Sequence, residues 1–241
     1  MKKLVLGSLI SSFAVGTALA GAMGDTDCSP SAFASIEGGY TWATTDGVTL
    51  NGINAPVVES KSQNQLSGRL AAGLIHMMDD EYGITGELGW GYYGNTTYQL
   101  PVVAYAYPVN MRSKYTISGF DALIGLSYVQ TYYTLYAKVG GMIQNLQLDN
   151  TSYVYPDDPI TSIYTLTKKS NQAAALPAAK LGIGYNVDAN WSVTGSYLIT
   201  YGASPGVTLT YVPGTIDNYT ISENNQNPMT NTFMLGIQYA A

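Results

Sequence analysis

Charge is what this chain has least of. Only 11% of its 241 residues are Asp, Glu, Lys or Arg, against roughly 25% in an ordinary soluble domain. A water-facing surface needs charged side chains, so much of this surface must meet something other than water. Cysteine occurs once, as Cys28, which excludes a disulfide framework. Histidine also occurs once, as His76, so Cys/His metal spacing is absent too. With 10 basic residues against 16 acidic ones and no basic cluster, the composition argues against nucleic-acid binding. Beyond the first twenty positions no apolar run reaches the ~18 residues of a membrane helix. What the chain does have is 46% hydrophobic residues, 21 Tyr against 4 Phe, and 26 Gly, a balance too apolar and aromatic for disorder.

The start of the chain reads as a targeting segment. Lys2 and Lys3 precede a short apolar stretch from Leu4 to Val15, and Ala18-Leu19-Ala20 supplies small residues at a cleavage site. These are the three parts of a secretory signal peptide over residues 1–20, cut between Ala20 and Gly21. Residues 21–241 then form a single domain. Without Lys2 and Lys3, eight bases remain against sixteen acids.

Along the rest of the chain the recurring period is two, the period of a strand. In the segment 33–44, Ala34, Ile36, Gly38, Tyr40 and Trp42 share one face. The same alternation recurs in segments 65–78, 82–95, 115–128, 132–148, 176–187, 191–201 and 231–241. The second and third, the fourth and fifth, and the sixth and seventh segments are separated by short turns: Asp79-Asp80-Glu81, Val129-Gln130-Thr131 and Asp188-Ala189-Asn190. The other connections, 45–64, 96–114, 149–175 and 202–230, are long. Short turns on one side and long loops on the other describe an all-β, eight-stranded antiparallel up-and-down transmembrane β-barrel.

A membrane barrel must keep charge off its outward face, where Lys or Arg at mid-bilayer costs about 2–4 kcal/mol. The eight apolar faces carry no Asp, Glu, Lys or Arg; Lys114 shares the outward parity but is expected just beyond the outer rim. The charges within the segments are Glu37, Arg69, Glu87, Asp121, Lys138 and Lys180, all on the opposite face and near mid-height. Inside a barrel only wide enough for side chains they must meet, so a balanced interior ion cluster is expected. Glycines 73, 89, 125, 140, 182, 184 and 236 on that face would make room for it. Two aromatic girdles are expected at the lipid interfaces. Phe33, Tyr82, Tyr128, Tyr133, Tyr185, Trp191 and Tyr239 fall at the inner rim. Tyr40, Trp42, Trp90, Tyr92, Tyr115, Tyr201 and Phe233 fall at the outer one.

The Gly-rich run Tyr-Gly-Ile-Thr-Gly-Glu-Leu-Gly-Trp-Gly at 82–91, with Gly119-Phe120-Asp121-Ala122-Leu123 and Tyr136-Ala137-Lys138-Val139-Gly140-Gly141, resembles the small bacterial outer-membrane barrels of the OmpA/OmpX class. Gly21-Ala22-Met23-Gly24 is similar to mature N-termini of barrel proteins from the Legionella and Coxiella group. The resemblance implies residence in the bacterial outer membrane as a monomer, among outer-membrane lipid and lipopolysaccharide. It also implies insertion by the barrel-assembly machinery, although the final strand ends Tyr239-Ala240-Ala241 rather than on an aromatic.

The residues offer little chemistry. His76 sits near the inner rim, away from the outer face where a Ser-His-acid site would be needed, so an enzyme is not expected. Asp79-Asp80-Glu81 and Asp157-Asp158 could hold a cation, but polar turns account for both. No cofactor is expected. The function expected is a structural and surface-interaction role, with host or surface ligands met by the long loops. The alternative is a narrow channel gated by the interior charges.

Overall fold

The computed structural model describes residues 30–45, 48–51, 60–102, 109–154, 164–211, 219–224 and 226–241. The expected cleavage point at Ala20 and Gly21, Cys28 and Asp157-Asp158 all lie outside the described residues. Among the described residues every regular element is a strand. In chain order they are β1 (Ser31–Ala43), β2 (Val48–Asn51), β3 (Ser60–Asn64), β4 (Leu66–Met77), β5 (Tyr82–Val102), β6 (Val109–Val129), β7 (Tyr133–Val154), β8 (Tyr164–Asn186), β9 (Trp191–Thr200), β10 (Gly206–Tyr211), β11 (Tyr219–Asn224) and β12 (Thr230–Ala240).

Eight of these close into a ring. The hydrogen-bonded order runs β5-β4-β1-β12-β9-β8-β7-β6, and β6 pairs back onto β5. The first strand meets the last from Phe33↔Ala240 to Ala43↔Thr230, and all eight pairings are antiparallel. Closure leaves no sheet edge within the ring, which a wall facing lipid requires. Two of the short turns share one device. The Asp79 carboxylate accepts from the backbone N–H of Glu81 and Tyr82, at 2.9 and 2.6 Å, and Asp188 accepts from those of Asn190 and Trp191, at 2.8 and 2.7 Å. Asp79 thus serves its own turn.

Alternation puts apolar side chains outward on every ring strand. Ile36, Leu70, Leu74, Leu88, Ile124, Leu126, Val139, Leu181, Ile183, Val193, Leu235 and Ile237 are all exposed. An exposed apolar belt this continuous is unstable in water and suits hydrocarbon. The barrel is a membrane-spanning one.

The strands do not stop where the apolar alternation stops. β5 to β8 run for 21, 21, 22 and 23 residues, whereas β1, β4, β9 and β12 have 13, 12, 10 and 11. Much of 96–114 and 149–175, read above as loop, is therefore wall. One side of the barrel rises well beyond the lipid belt, and β3 extends the sheet against β5 through Ser60↔Gln99 to Asn64↔Asn95. The outward face simply turns polar there: Ser118, Thr116 and Lys114 follow Phe120 on β6. Connections 45–64 and 202–230 likewise contain β2, β10 and β11, which form a separate small sheet.

Two aromatic placements also differ. Phe33 and Tyr115 point into the barrel, 7% and 0% exposed, rather than lying in the girdles. Both have the inward parity of their strands, alternating with exposed Ala34 and with Phe120's face. Midway along β5 a bulge between Tyr92 and Asn95 shifts the register. Gly94 there has φ 89°, a conformation glycine tolerates and other residues rarely adopt. The extra residue turns Tyr93 inward while Tyr92 and Asn95 stay on the outer side.

The belt makes a direct prediction. Ile124→Arg, at mid-belt, should cost about 2–4 kcal/mol and remove the heat-modifiable folded band on gels of membrane fractions. Asn145→Arg, on the outward face of β7 above the belt, should keep that band. Equal behaviour of the two variants would mean that the belt does not meet lipid.

Candidate functional site: the interior ion cluster

The six charged residues on the inward face come together in one network. Arg69 on β4 is its hub. Its Nη1 donates to Glu37 Oε2 at 3.1 Å, and its Nη2 reaches Glu87 Oε1 at 2.5 Å. Asp121 takes the fork of the guanidinium, with Nε to Oδ2 at 2.9 Å and Nη2 to Oδ1 at 2.5 Å. Lys180 Nζ donates to Glu37 Oε1 at 2.7 Å and to Glu87 Oε1 at 2.9 Å. Lys138 pairs with Glu87 Oε2. Three acids and three bases thus cancel, with every member at most 5% exposed.

Register explains the meeting. Glu37 lies directly opposite Arg69 across the β1–β4 pair, and Lys138 opposite Lys180 across β7–β8. The two lysines are kept compatible by the carboxylates between them and by rings. Lys138 Nζ sits 4.7 Å from the Tyr136 ring centroid and 4.9 Å from that of Phe33, which suits a desolvated cation. The glycines supply the room in two ways. A Cβ at Gly89 would fall on the Arg69 guanidinium, one at Gly236 would crowd Glu37, and one at Gly182 would meet the Tyr136 ring. At Gly125 and Gly140 the obstacle is instead a neighbouring strand's backbone. Gly184 would meet only ordinary contacts.

The lumen differs above and below this layer. Toward the short turns a cavity of about 410 Å³ opens, lined by Phe33, Thr85, Ser127, Thr134, Tyr136 and Lys138 among others. Toward the outer mouth the interior is packed: Tyr93, Ile117, Met142, Leu146, Leu148, Leu198 and Met234, with Tyr98, Tyr115 and Val207, form an apolar cluster beside buried Gln144, Asn150, Thr200 and Thr232. Sequence reasoning missed this upper layer. Its members alternate on the inward face beyond the cluster, but an apolar inward residue is easily dismissed once the outward face has been assigned to lipid.

The last long connection folds into the mouth. Val207 is 1% exposed, the Asn227 side chain donates to the Gln144 carbonyl at 2.8 Å, and Gln144 Nε2 donates to the Pro228 carbonyl at 3.3 Å. Hydroxyl pairs Thr41–Thr232, at 2.9 Å, and Thr200–Thr230, at 2.7 Å, link the wall beneath it.

The rim aromatics sit on the outer surface. Tyr40 stacks edge-on to Trp42 at 4.9 Å, and Tyr82 lies 5.1 Å from Tyr128, which lies 6.2 Å from Tyr133. Trp191 and Tyr239 are 4.9 Å apart. Trp90, Tyr185 and Phe233 are exposed without such a partner among the ring contacts described. His76 faces outward one pair from the Asp79 turn, opposite Ile84, remote from any acid of the cluster. Among the described residues no group of three His, Cys, Asp or Glu side chains could hold a metal ion.

No protein-family model matches the chain, and no curated protein matches it. Solved structures do. The attachment invasion locus protein Ail of Yersinia pestis is 12% identical, with 87% of this chain and 98% of that one covered and a TM-score of 0.37. The outer membrane protein OprG of Pseudomonas aeruginosa is 10% identical, with 88% and 95% covered and a TM-score of 0.41. The outer membrane protease OmpT of Escherichia coli is 11% identical, with 91% and 99% covered and a TM-score of 0.36.

Arg69 is the member whose loss strands most partners. Arg69→Ala leaves three buried carboxylates facing two lysines and should lower the unfolding free energy by about 3–5 kcal/mol, the cost of breaking a buried pair. Urea titration of the refolded barrel reads it. A loss under about 1 kcal/mol would place these charges in water.

Proposed function

We propose that this is a closed outer-membrane barrel whose raised wall and mouth segments make contacts at the cell surface, without catalysis and without conduction. The observation that carries this reading is the contrast along the axis. The lumen is stopped twice, by the neutral ion cluster and by the packed apolar layer above it, while β5 to β8 continue beyond the lipid as an exposed sheet. Strands extended past the belt add nothing to crossing the membrane, since about 9–11 residues suffice when tilted. They do create surface, and outer segments on a rigid scaffold are where binding residues concentrate.

A channel gated by Glu37, Arg69, Glu87, Asp121, Lys138 and Lys180 fits the packing less well. Releasing that cluster would open the lower cavity only to the layer of Met142, Leu198 and Met234, each at most 1% exposed. His76 on the lipid face, near the short turns, offers no base to a serine at the outer surface. Host or surface ligands would meet the wall and the mouth segments. Membrane insertion by the barrel-assembly machinery and a monomeric state belong to the same reading.

Two measurements test it. Purified protein in planar bilayers should give no unitary conductance, and Arg69→Ala with Lys138→Ala should stay silent because the upper layer remains. Steady single-channel currents would favour the gate. Deletion of residues 153–168, which include the connection from β7 to β8, should keep the folded band yet abolish adhesion of expressing cells to the surface they bind. Unchanged adhesion would reduce that segment to a cover.

A further inference from the structure

The basic residues are segregated. Of the ten in the chain, Lys2 and Lys3 belong to the expected leader and three lie in the lumen. The other five, Lys61, Arg112, Lys114, Lys168 and Lys169, all lie on the raised wall, on β3, β6 and β8. The opposite rim has Asp79, Asp80, Glu81 and Asp188 and no base among its turns. Every base outside the expected leader and the lumen therefore lies toward one end of the barrel.

Three of the five share a face and nearly a level. Lys114 on β6 lies opposite Asp149 on β7, which lies opposite Lys169 on β8, and Arg112 stands one outward position beyond Lys114. Their parity is that of Phe120 and Ile143, so they continue the lipid-facing side rather than the interior. Lys169 Nζ is 4.0 Å from Asp149 Oδ1, and the lysine side chain is 70% exposed. Asp149 is the one carboxylate at these outward positions, against three cations, which leaves the row positive.

Height narrows the partner. Lys114 lies six residues above Phe120, the last aromatic on that face of β6. At about 3.3 Å per residue and a tilt near 40°, that is about 15 Å along the barrel axis. The headgroup layer of an ordinary bilayer adds only about 5–8 Å per side. The phosphate of a simple phospholipid lies below the row, whereas phosphates carried on a large saccharide head lie beside it.

We propose that Arg112, Lys114 and Lys169 form an outward-facing site for the phosphate groups of an outer-leaflet glycolipid with an extended saccharide head. This deepens the surface reading above and rests on the barrel spanning the membrane. Asp149, between the two lysines in register, tempers the site's positive charge. The site lies on the flank of the wall, which leaves the sheet's tip and the mouth open to other contacts.

The test uses the full barrel refolded into nanodiscs, with heat-modifiable migration scored on each preparation. Retention is read by native mass spectrometry against four probes: lipopolysaccharide with core phosphates, the same glycolipid dephosphorylated, phosphatidylglycerol, and soluble polyphosphate. The phosphorylated glycolipid should be retained about tenfold more tightly than its dephosphorylated form, an advantage that falls with salt. The triple variant R112Q/K114Q/K169Q should lose that advantage, while Asp149→Asn should increase it. Equal retention by wild type and triple variant overturns the site. So does preference for phosphatidylglycerol, which places the row at the bilayer surface, or for soluble polyphosphate alone, which makes it a general anion patch. Failure of the barrel to insert into any nanodisc is a different result and counts against the membrane reading itself.

Discussion

A wall that faces hydrocarbon can carry no ionised side chain, and every other arrangement in this molecule follows from that exclusion. With a period of two, each strand has only one other face on which to place its charge. Glu37, Arg69, Glu87, Asp121, Lys138 and Lys180 therefore enter the lumen, where each is at most 5% exposed. There a lone charge is costlier than on any soluble surface. Neutrality of the cluster is a condition of the fold, and the forked Arg69–Asp121 pair provides its most directional bonds.

The interior charge in turn governs the distribution of glycine. Long side chains converging at one depth need neighbours without a Cβ, and Gly89 and Gly236 provide that against Arg69 and Glu37. Gly125 and Gly140 answer a different need, close approach of backbones where the sheet curls tightly into a small barrel. One residue type thus serves electrostatic packing and curvature together. This accounts for part of an abundance that composition alone could only register.

What could be read from the sequence follows the solvent each face meets. The eight ring strands were legible because lipid makes their outward faces uniformly apolar, and the six inward charges were legible as their complement. Legibility ended where lipid ends. Past Phe120 the outward residues are Ser118, Thr116 and Lys114, which alternate with Gly119, Ile117 and Tyr115. The contrast inverts there, with apolar residues inside and polar ones out, and a strand reads as a loop to anyone following the membrane pattern. Phe33 and Tyr115 were misplaced for a related reason: aromatic character was allowed to outweigh parity. Parity also breaks at Tyr93 and Gly94, where the bulge adds a residue that composition does not announce.

The inversion beyond Phe120 says what the upper barrel is. Below, the protein is apolar outside and ionic within; above, it is polar outside, and an apolar cluster packs within beside buried Gln144, Asn150, Thr200 and Thr232. Tyr98, Tyr115, Leu146, Leu148 and Val207 form a small core of the ordinary kind, drawn from the raised wall and from the connection that folds over the mouth. Two solvents act on one continuous sheet, and each sets the polarity of the stretch it wets. A core of this kind holds the wall upright without support from lipid, and it stops the lumen as a consequence of doing so. In the reading proposed above, closure and elevation are one structural event, and the same strands weigh against conduction and for contact at the surface.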